Sequence, residues 1–243
     1  MANFFPRSSN WLPLKIAVIL AVLGGVVTAL VTYYFTPKYT RMGYMPIQPV
    51  AFSHEIHSKQ LGMDCRYCHS FVEVAAHSNV PTTQVCMNCH AQVQKDNPKL
   101  APLHESWRTG RPIEWVQVHK TPDYVYFNHA AHVNRGVSCV SCHGRVDKMP
   151  EVYHAESHSM AWCLDCHRAP ETALRPVDQV TNLGWKPADQ NVQAFIAQNG
   201  KPPGDENTDF NKVGELTQDQ IGKTLRKKWH INPPDKNCAG CHR

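Results

Sequence analysis

Twenty consecutive residues without a charge, IAVILAVLGGVVTALVTYYF at 16–35, dominate the hydropathy pattern of this 243-residue chain. That length matches the hydrocarbon core of a bilayer, and Tyr33 and Tyr34 fall where an interfacial aromatic belt would lie. A cleaved signal peptide has a shorter apolar region ending in a small-x-small site. The flanking TYYFTPKYT offers no such site, so residues 1–36 are expected to be an uncleaved transmembrane anchor. Arg7 and Lys15 before the run and Lys38 and Arg41 after it do not orient the helix.

Beyond residue 36 long apolar runs are few, and Pro81, Pro98, Pro102, Pro112, Pro122, Pro150, Pro170 and Pro176 interrupt what remains. The chain is long enough for one or two domains. With 8 Phe, 6 Trp and 8 Tyr against 18 Pro, however, side chains alone look too few to fill them. Short helices, helical turns and little strand are predicted. Residues 171–237 read as a polar arm, with GKPPGDENTDFNK as its most linker-like stretch and IGKTLRKKWH, at 221–230, as a basic helix.

The cysteines supply what the hydropathy lacks. All ten fall in five Cys-x-x-Cys-His motifs: Cys65/Cys68/His69, Cys86/Cys89/His90, Cys139/Cys142/His143, Cys163/Cys166/His167 and Cys238/Cys241/His242. This is the attachment signature of c-type haem, in which two thiols reach both vinyl groups of one porphyrin and the histidine turns under the ring to ligate iron. A disulfide framework has no reason to place histidine after every second cysteine, and zinc would pair the motifs into sets of four ligands, which five motifs do not allow. Five covalent haem c groups are therefore expected. No cysteine is left for an iron–sulfur cluster.

Ten further histidines could supply sixth ligands, and an iron capped on both faces moves electrons rather than binding substrates. Phe52-x-His54-x-x-His57 and Phe127-x-His129-x-x-His132 place two histidines on one helical turn, from which they can splay toward neighbouring irons. His119 is the first candidate for the one haem left over, with His77, His230, Met149 and Met160 as alternatives. His104, His154 and His158 read as solvent or propionate contacts.

Phe52 and Phe127 are 75 residues apart, Cys65 and Cys139 are 74 apart, and each unit continues into a second motif. The chain thus reads as a dihaem module at 37–100, its repeat at 101–176, and a segment at 177–243 that ends in the fifth haem site. The two histidine turns resemble those of class III, c3/c7-like multihaem cytochromes. That resemblance implies that His54 caps the first haem and His129 the third, while His57 and His132 reach other haems.

The stretches FSHEIH…GMDCRYCHS, CMNCH, DYVYFNHAAH…GVSCVSCHGRVDKM and SMAWCLDCHRAPE resemble the pentahaem cytochrome c component of bacterial alternative complex III, most closely over 47–176. The resemblance implies an electron relay without catalysis of its own. Its partners would be an iron–sulfur subunit, polytopic quinone-binding membrane subunits, a monohaem cytochrome, and a periplasmic acceptor or terminal oxidase. Two rival readings are a quinol dehydrogenase of the NapC/NrfH type and a multihaem reductase of a small inorganic compound, which would need an open haem.

The formal charge of +5 does not point to nucleic acid, because a membrane anchor is expected. With two propionates and a ferric charge per haem, the loaded chain would sit at roughly zero oxidised and roughly −5 reduced. Because c-type haem is attached outside the cytoplasm, the haem domain is expected on the periplasmic side of the bacterial inner membrane.

Overall fold

The computed structural model describes residues 6–35, 41–203, 210, 213–234 and 237–242, with the side chains of Arg7, Tyr34 and Phe35 excepted. Lys38 and most of the linker-like GKPPGDENTDFNK lie outside this set. The chain divides into two compact units, 1–42 and 43–243.

In the first unit a 3-10 turn, Arg7–Trp11, leads into helix α1, Leu12–Phe35. At 1.5 Å per residue its 24 residues span about 36 Å, enough to cross a bilayer. Ser8–Tyr33 is apolar and exposed on every side, as a helix made for lipid would be.

The second unit is built from short helices. The first histidine pair lies on a π-helical turn, Glu55–Gln60, with His54 at its N-cap. Then follow α2 (Cys65–Cys68), α3 (Thr83–His90), α4 (Ala101–Thr109), α5 (His129–Val133), α6 (Cys139–His143), α7 (Met160–Arg168), α8 (Val192–Asn199) and α9 (Gln218–Lys228). No β-strand forms among the described residues. Two isolated bridges, Val125 with His242 and Val137 with Leu174, join distant segments. The mostly helical and irregular fold with an N-terminal apolar helix is as the sequence predicts.

The polar-arm expectation for 177–243 is corrected. Leu174, Trp185, Val192, Phe195, Phe210, Leu216, Ile221 and Leu225 pack into a hydrophobic core. Helix α9 turns Ile221, Gly222, Thr224 and Leu225 inward and keeps Lys223, Lys227 and Lys228 outward, the stripe of an amphipathic helix. A capping box between Thr217 and Gln220 starts it. Its buried face crosses the 3-10 turn Pro170–Thr172, where Gln218 Nε2 donates to Glu171 O at 3.0 Å and Leu174 O at 2.6 Å, and Arg226 pairs with Glu171 at 2.8 Å. Side chains fill this end of the unit.

Gly222 makes that crossing possible, because a Cβ at this position would overlap the carbonyl of Glu171. Gly to Ala in a helix interior ordinarily gains about 1 kcal/mol. Here the obstacle is backbone rather than a flexible side chain, so Gly222→Ala is expected to destabilise by about 1–3 kcal/mol. A rise in melting temperature would show that α9 moves aside freely.

Candidate haem-binding sites

Each motif sits on a helical turn started by a side-chain cap or held against a neighbour. Asp64, Ser138, Ser159 and Asn237 accept from the backbone N–H of Arg66, Val140, Trp162 and Ala239, starting the first, third, fourth and fifth motifs. The second motif ends α3, whose Thr83 hydroxyl bonds that of Ser106 in α4 at 2.7 Å. On a turn of this kind cysteines three apart share one face and the histidine follows on the next step. All ten cysteines are free thiols, the form that thioether attachment requires. Burial, with Cys166 and Cys163 beside it, pushes the Cys142 thiol up to about 12.

The imidazoles are held by one recurring device. Nδ1 of His57 donates to Ser53 O at 2.8 Å, that of His69 to Asn79 O at 2.8 Å and that of His90 to Val93 O at 3.0 Å. Nδ1 of His129 donates to Ala76 O at 2.9 Å and that of His132 to Asn128 O at 2.7 Å. His167 and His242 do the same with Pro234 O at 3.4 Å and Tyr124 O at 3.2 Å. A carbonyl accepts only from an N–H, so the proton is fixed on Nδ1 and Nε2 presents its lone pair, as a metal-binding histidine must.

Three pairs then face each other across similar gaps. Ring centroids of His54 and His69 are 6.5 Å apart and 3° from parallel; His57 and His90 are 6.2 Å apart, and His132 and His167 are 6.1 Å apart. Two imidazoles bound through Nε2 at metal–nitrogen distances of about 2.0 Å put their ring centres roughly 6 Å apart. The donor set and its spacing fit a six-coordinate haem iron at each pair.

The duplication is reproduced in the geometry of the histidine turns. Phe52 meets His54 edge-on at 4.8 Å and stacks on His57 at 4.4 Å; Phe127 meets His129 at 4.7 Å and stacks on His132 at 4.6 Å. Exposed Leu61, Phe71, Val74 (77 % exposed) and Val80 lie around the first and second motifs, and Tyr124 and Tyr126 beside the fifth. Such apolar surface suits the face of a macrocycle.

Other expectations need adjustment. His119, the first candidate for the haem left over, lies beside the third motif. It sits in an imidazole cluster, 4.3 Å from His143, 5.1 Å from His154 and 6.0 Å from His158, while the ring beside His242 is Tyr124 at 5.6 Å. A 4.3 Å gap is too short for an iron between His119 and His143. Burial first, then the charges of His154 and His158, lowers the pKa of His119 to about 3, so it stays neutral. Burial chiefly holds the pKa of His143 well down, with His119, His158 and then His129 adding to it, and His129 and His143 do not pair at the spacing of the other three sets. His154, read as a solvent or propionate contact, is 1 % exposed, with its backbone N–H donating to Tyr44 O. Nothing in its local sequence marks it, because burial there comes from segments a hundred residues apart. Of the alternative ligands, Met149 is buried (3 % exposed), Met160 is 62 % exposed, and His77 and His230 are exposed.

Asp64 shows how acid should loosen the first motif. Its carboxylate accepts from Arg66 and from Thr181 Oγ1, and the Arg66 bond chiefly lowers its pKa to about 2. A folded pKa below the unfolded value gives stability that is full above pH 4 and is lost as pH falls through about 2. Asp64→Asn should therefore lower stability at neutral pH, where the bond is fully formed, and flatten the acid limb between pH 4 and 2, so that the two stability–pH curves converge near pH 2. Superposable acid limbs would show that the bond contributes nothing.

Residues 125–191 match the family model for cytochrome c7 and related cytochrome c, and they contain the second histidine turn with the third and fourth motifs. The chain is also 37 % identical over 97 residues to the "Menaquinone reductase, multiheme cytochrome c subunit" of Nitratidesulfovibrio vulgaris. That alignment covers 40 % of this chain and 45 % of the relative, less than half of either. Residues 125–191 are thus c7-like, and the same Cys-x-x-Cys-His attachment motif recurs on both sides of them.

Proposed function

We propose that this chain is a pentahaem electron-relay subunit of a quinone-linked respiratory complex, of the alternative complex III type, anchored by α1 with its haem unit in the periplasm. The observation that carries the reading is the set of three imidazole pairs at 6.1–6.5 Å, each joining a motif histidine to one from a Phe-x-His-x-x-His turn. Bound haem c supplies a one-electron ferric/ferrous couple, and capping on both faces confines it to that role. In this reading Cys65, Cys68, Cys86, Cys89, Cys139, Cys142, Cys163, Cys166, Cys238 and Cys241 hold five haems covalently. His69, His90, His143, His167 and His242 are the proximal ligands. His54 caps the first haem, His57 the second and His132 the fourth. His129 is assigned to the third, since its Nδ1 is fixed like those of His57 and His132 and its helix, α5, precedes that motif by a few residues.

An iron–sulfur subunit, polytopic quinone-binding subunits and a monohaem cytochrome would flank the chain, with a periplasmic carrier or terminal oxidase beyond. The name of the N. vulgaris relative supports a link to the quinone pool and also favours a second reading, in which this chain exchanges electrons with a quinone directly. Low-temperature EPR of the oxidised, detergent-solubilised holoprotein, with a visible spectrum of its ferrous form under carbon monoxide, tests the relay. Capped irons give low-spin signals only and no carbon monoxide shift. A stoichiometric high-spin haem that binds carbon monoxide overturns the reading, and reduction of the isolated chain by a menaquinol analogue selects the second one.

A further inference from the structure

We propose that the five attachment motifs stand side by side in the order second, first, third, fourth, fifth, so that the conduit ends at the haems of Cys86/Cys89 and Cys238/Cys241 and the N-terminal motif is interior. The inference rests on the multihaem reading above and goes beyond it, because the order along the chain and the order in space differ.

Each junction is bridged by a specific contact. Between the second and first motifs, Asn88 Nδ2 donates to the Tyr67 hydroxyl at 3.2 Å, joining the residues inside the two Cys-x-x-Cys spacers. The same two motifs are served by His54 and His57 from one turn. Between the first and third, consecutive residues tie both caps together. Thr181 Oγ1 donates to Asp64 at 2.8 Å, and Ser138 Oγ donates to Val180 O at 2.6 Å. Helix α5 also docks on the loop after the first motif, with His129 N bonded to Ala76 O at 3.0 Å, Ala130 N to Ala75 O at 3.2 Å and Asn134 Nδ2 to Glu73 O at 2.8 Å.

Between the third and fourth motifs, His158 Nε2 donates to Cys142 O at 3.0 Å while its ring lies 5.1 Å from Trp162, the residue before Cys163. Between the fourth and fifth, Pro234 bridges. Its carbonyl accepts from His167 Nδ1 at 3.4 Å, and its ring lies against Gly240, where an added Cβ would come within 2.6 Å of Pro234 Cβ. Exposure marks the two ends independently. Cys89 and Cys238 are exposed, whereas the other eight cysteines are partly buried. Each hop along this row oxidises one ferrous iron and reduces its ferric neighbour, with no atom transferred. Electrons enter and leave through one-electron redox proteins at the two exposed ends.

The test uses the full-length holoprotein and magnetic coupling between neighbouring ferric haems. A thioether ligand raises a haem's potential, so His57→Met allows the second haem to be poised ferrous and diamagnetic while the others remain ferric. Its own EPR signal is lost, and one of the remaining four signals, that of the first haem, should relax more slowly. His132→Met, at the interior fourth site, should slow two signals. Two or more signals altered in His57→Met, or one alone in His132→Met, overturns the order. Should either variant fail to fold, a soluble gadolinium chelate added to the unaltered protein should accelerate relaxation of two of the five signals. Three or more accelerated signals, or a pair that shares a histidine turn, likewise overturns it. Fewer than five low-spin haems would instead refute the relay reading, whereas five low-spin haems with another coupling pattern refute only the order.

Discussion

Replacing His132 with alanine is expected to turn one haem in five from low-spin to high-spin and to make that haem alone bind carbon monoxide. The ring of His132 faces His167 at 6.1 Å and 30°, and its Nδ1 proton is committed to Asn128 O at 2.7 Å, which leaves Nε2 as the donor. Burial lowers its pKa, with His167 and His129 adding to the effect against the Asn128 bond, so the imidazole is neutral and ready to bind metal at ordinary pH. Two thioethers at Cys163 and Cys166 would keep the porphyrin in place after the ligand is lost, so haem content should not fall. That separates loss of a ligand from loss of folding. His57→Ala should act in the same way at the second site, since His57 repeats the arrangement against His90 at 6.2 Å. Phe127→Ala leaves the ligand present and removes only the ring stacked on it at 4.6 Å, so its haems should remain low-spin while stability drops. If His132→Ala keeps all five haems low-spin and closed to carbon monoxide, the pairing with His167 is wrong.

The site was legible in the sequence where chemistry imposes a fixed local spacing. Cys-x-x-Cys-His must lie on one turn, and Phe-x-His-x-x-His repeats closely enough that its two copies agree within 0.2 Å in both ring contacts. The partners of His57 and His132 were not legible, because nothing local says which motif lies across the gap. The same limit applies to His119 and His154. They meet beside His143 through segments whose approach is set by backbone bonds such as Gly43 N to His154 O and His154 N to Tyr44 O. The C-terminal core was hidden for a different reason. Its apolar residues arrive singly among prolines, glycines and charges over residues 174–225, so no window shows a period until α9 begins. Polarity averaged over that stretch reads as an arm, whereas the few inward positions of each short element sum to a core.

That core gives the largest expected change in stability. Phe195 is fully buried in α8, among Trp185, Phe210, Ile221 and Leu225. Phe195→Ala should cost about 3–5 kcal/mol, from lost transfer energy plus the cavity left behind. For a unit of this size the melting temperature should fall on the order of 10 °C. Thermal melts of the variant and of Phe195→Leu, which fills most of the space, would measure it. The damage should also be local. The first four motifs are joined by contacts outside this cluster, whereas the fifth meets it through Trp229 and Ile231, with Pro234 beyond, and is otherwise held only at Tyr124–Tyr126 among the described residues. The variant should therefore retain four haems with unchanged low-spin signals, while the signal of the fifth broadens or shifts. Equal loss from all five would mean that haems and side chains stabilise one cooperative core. Loss confined to the fifth means that the c7-like region is held by its cofactors and the C-terminal region by ordinary hydrophobic packing.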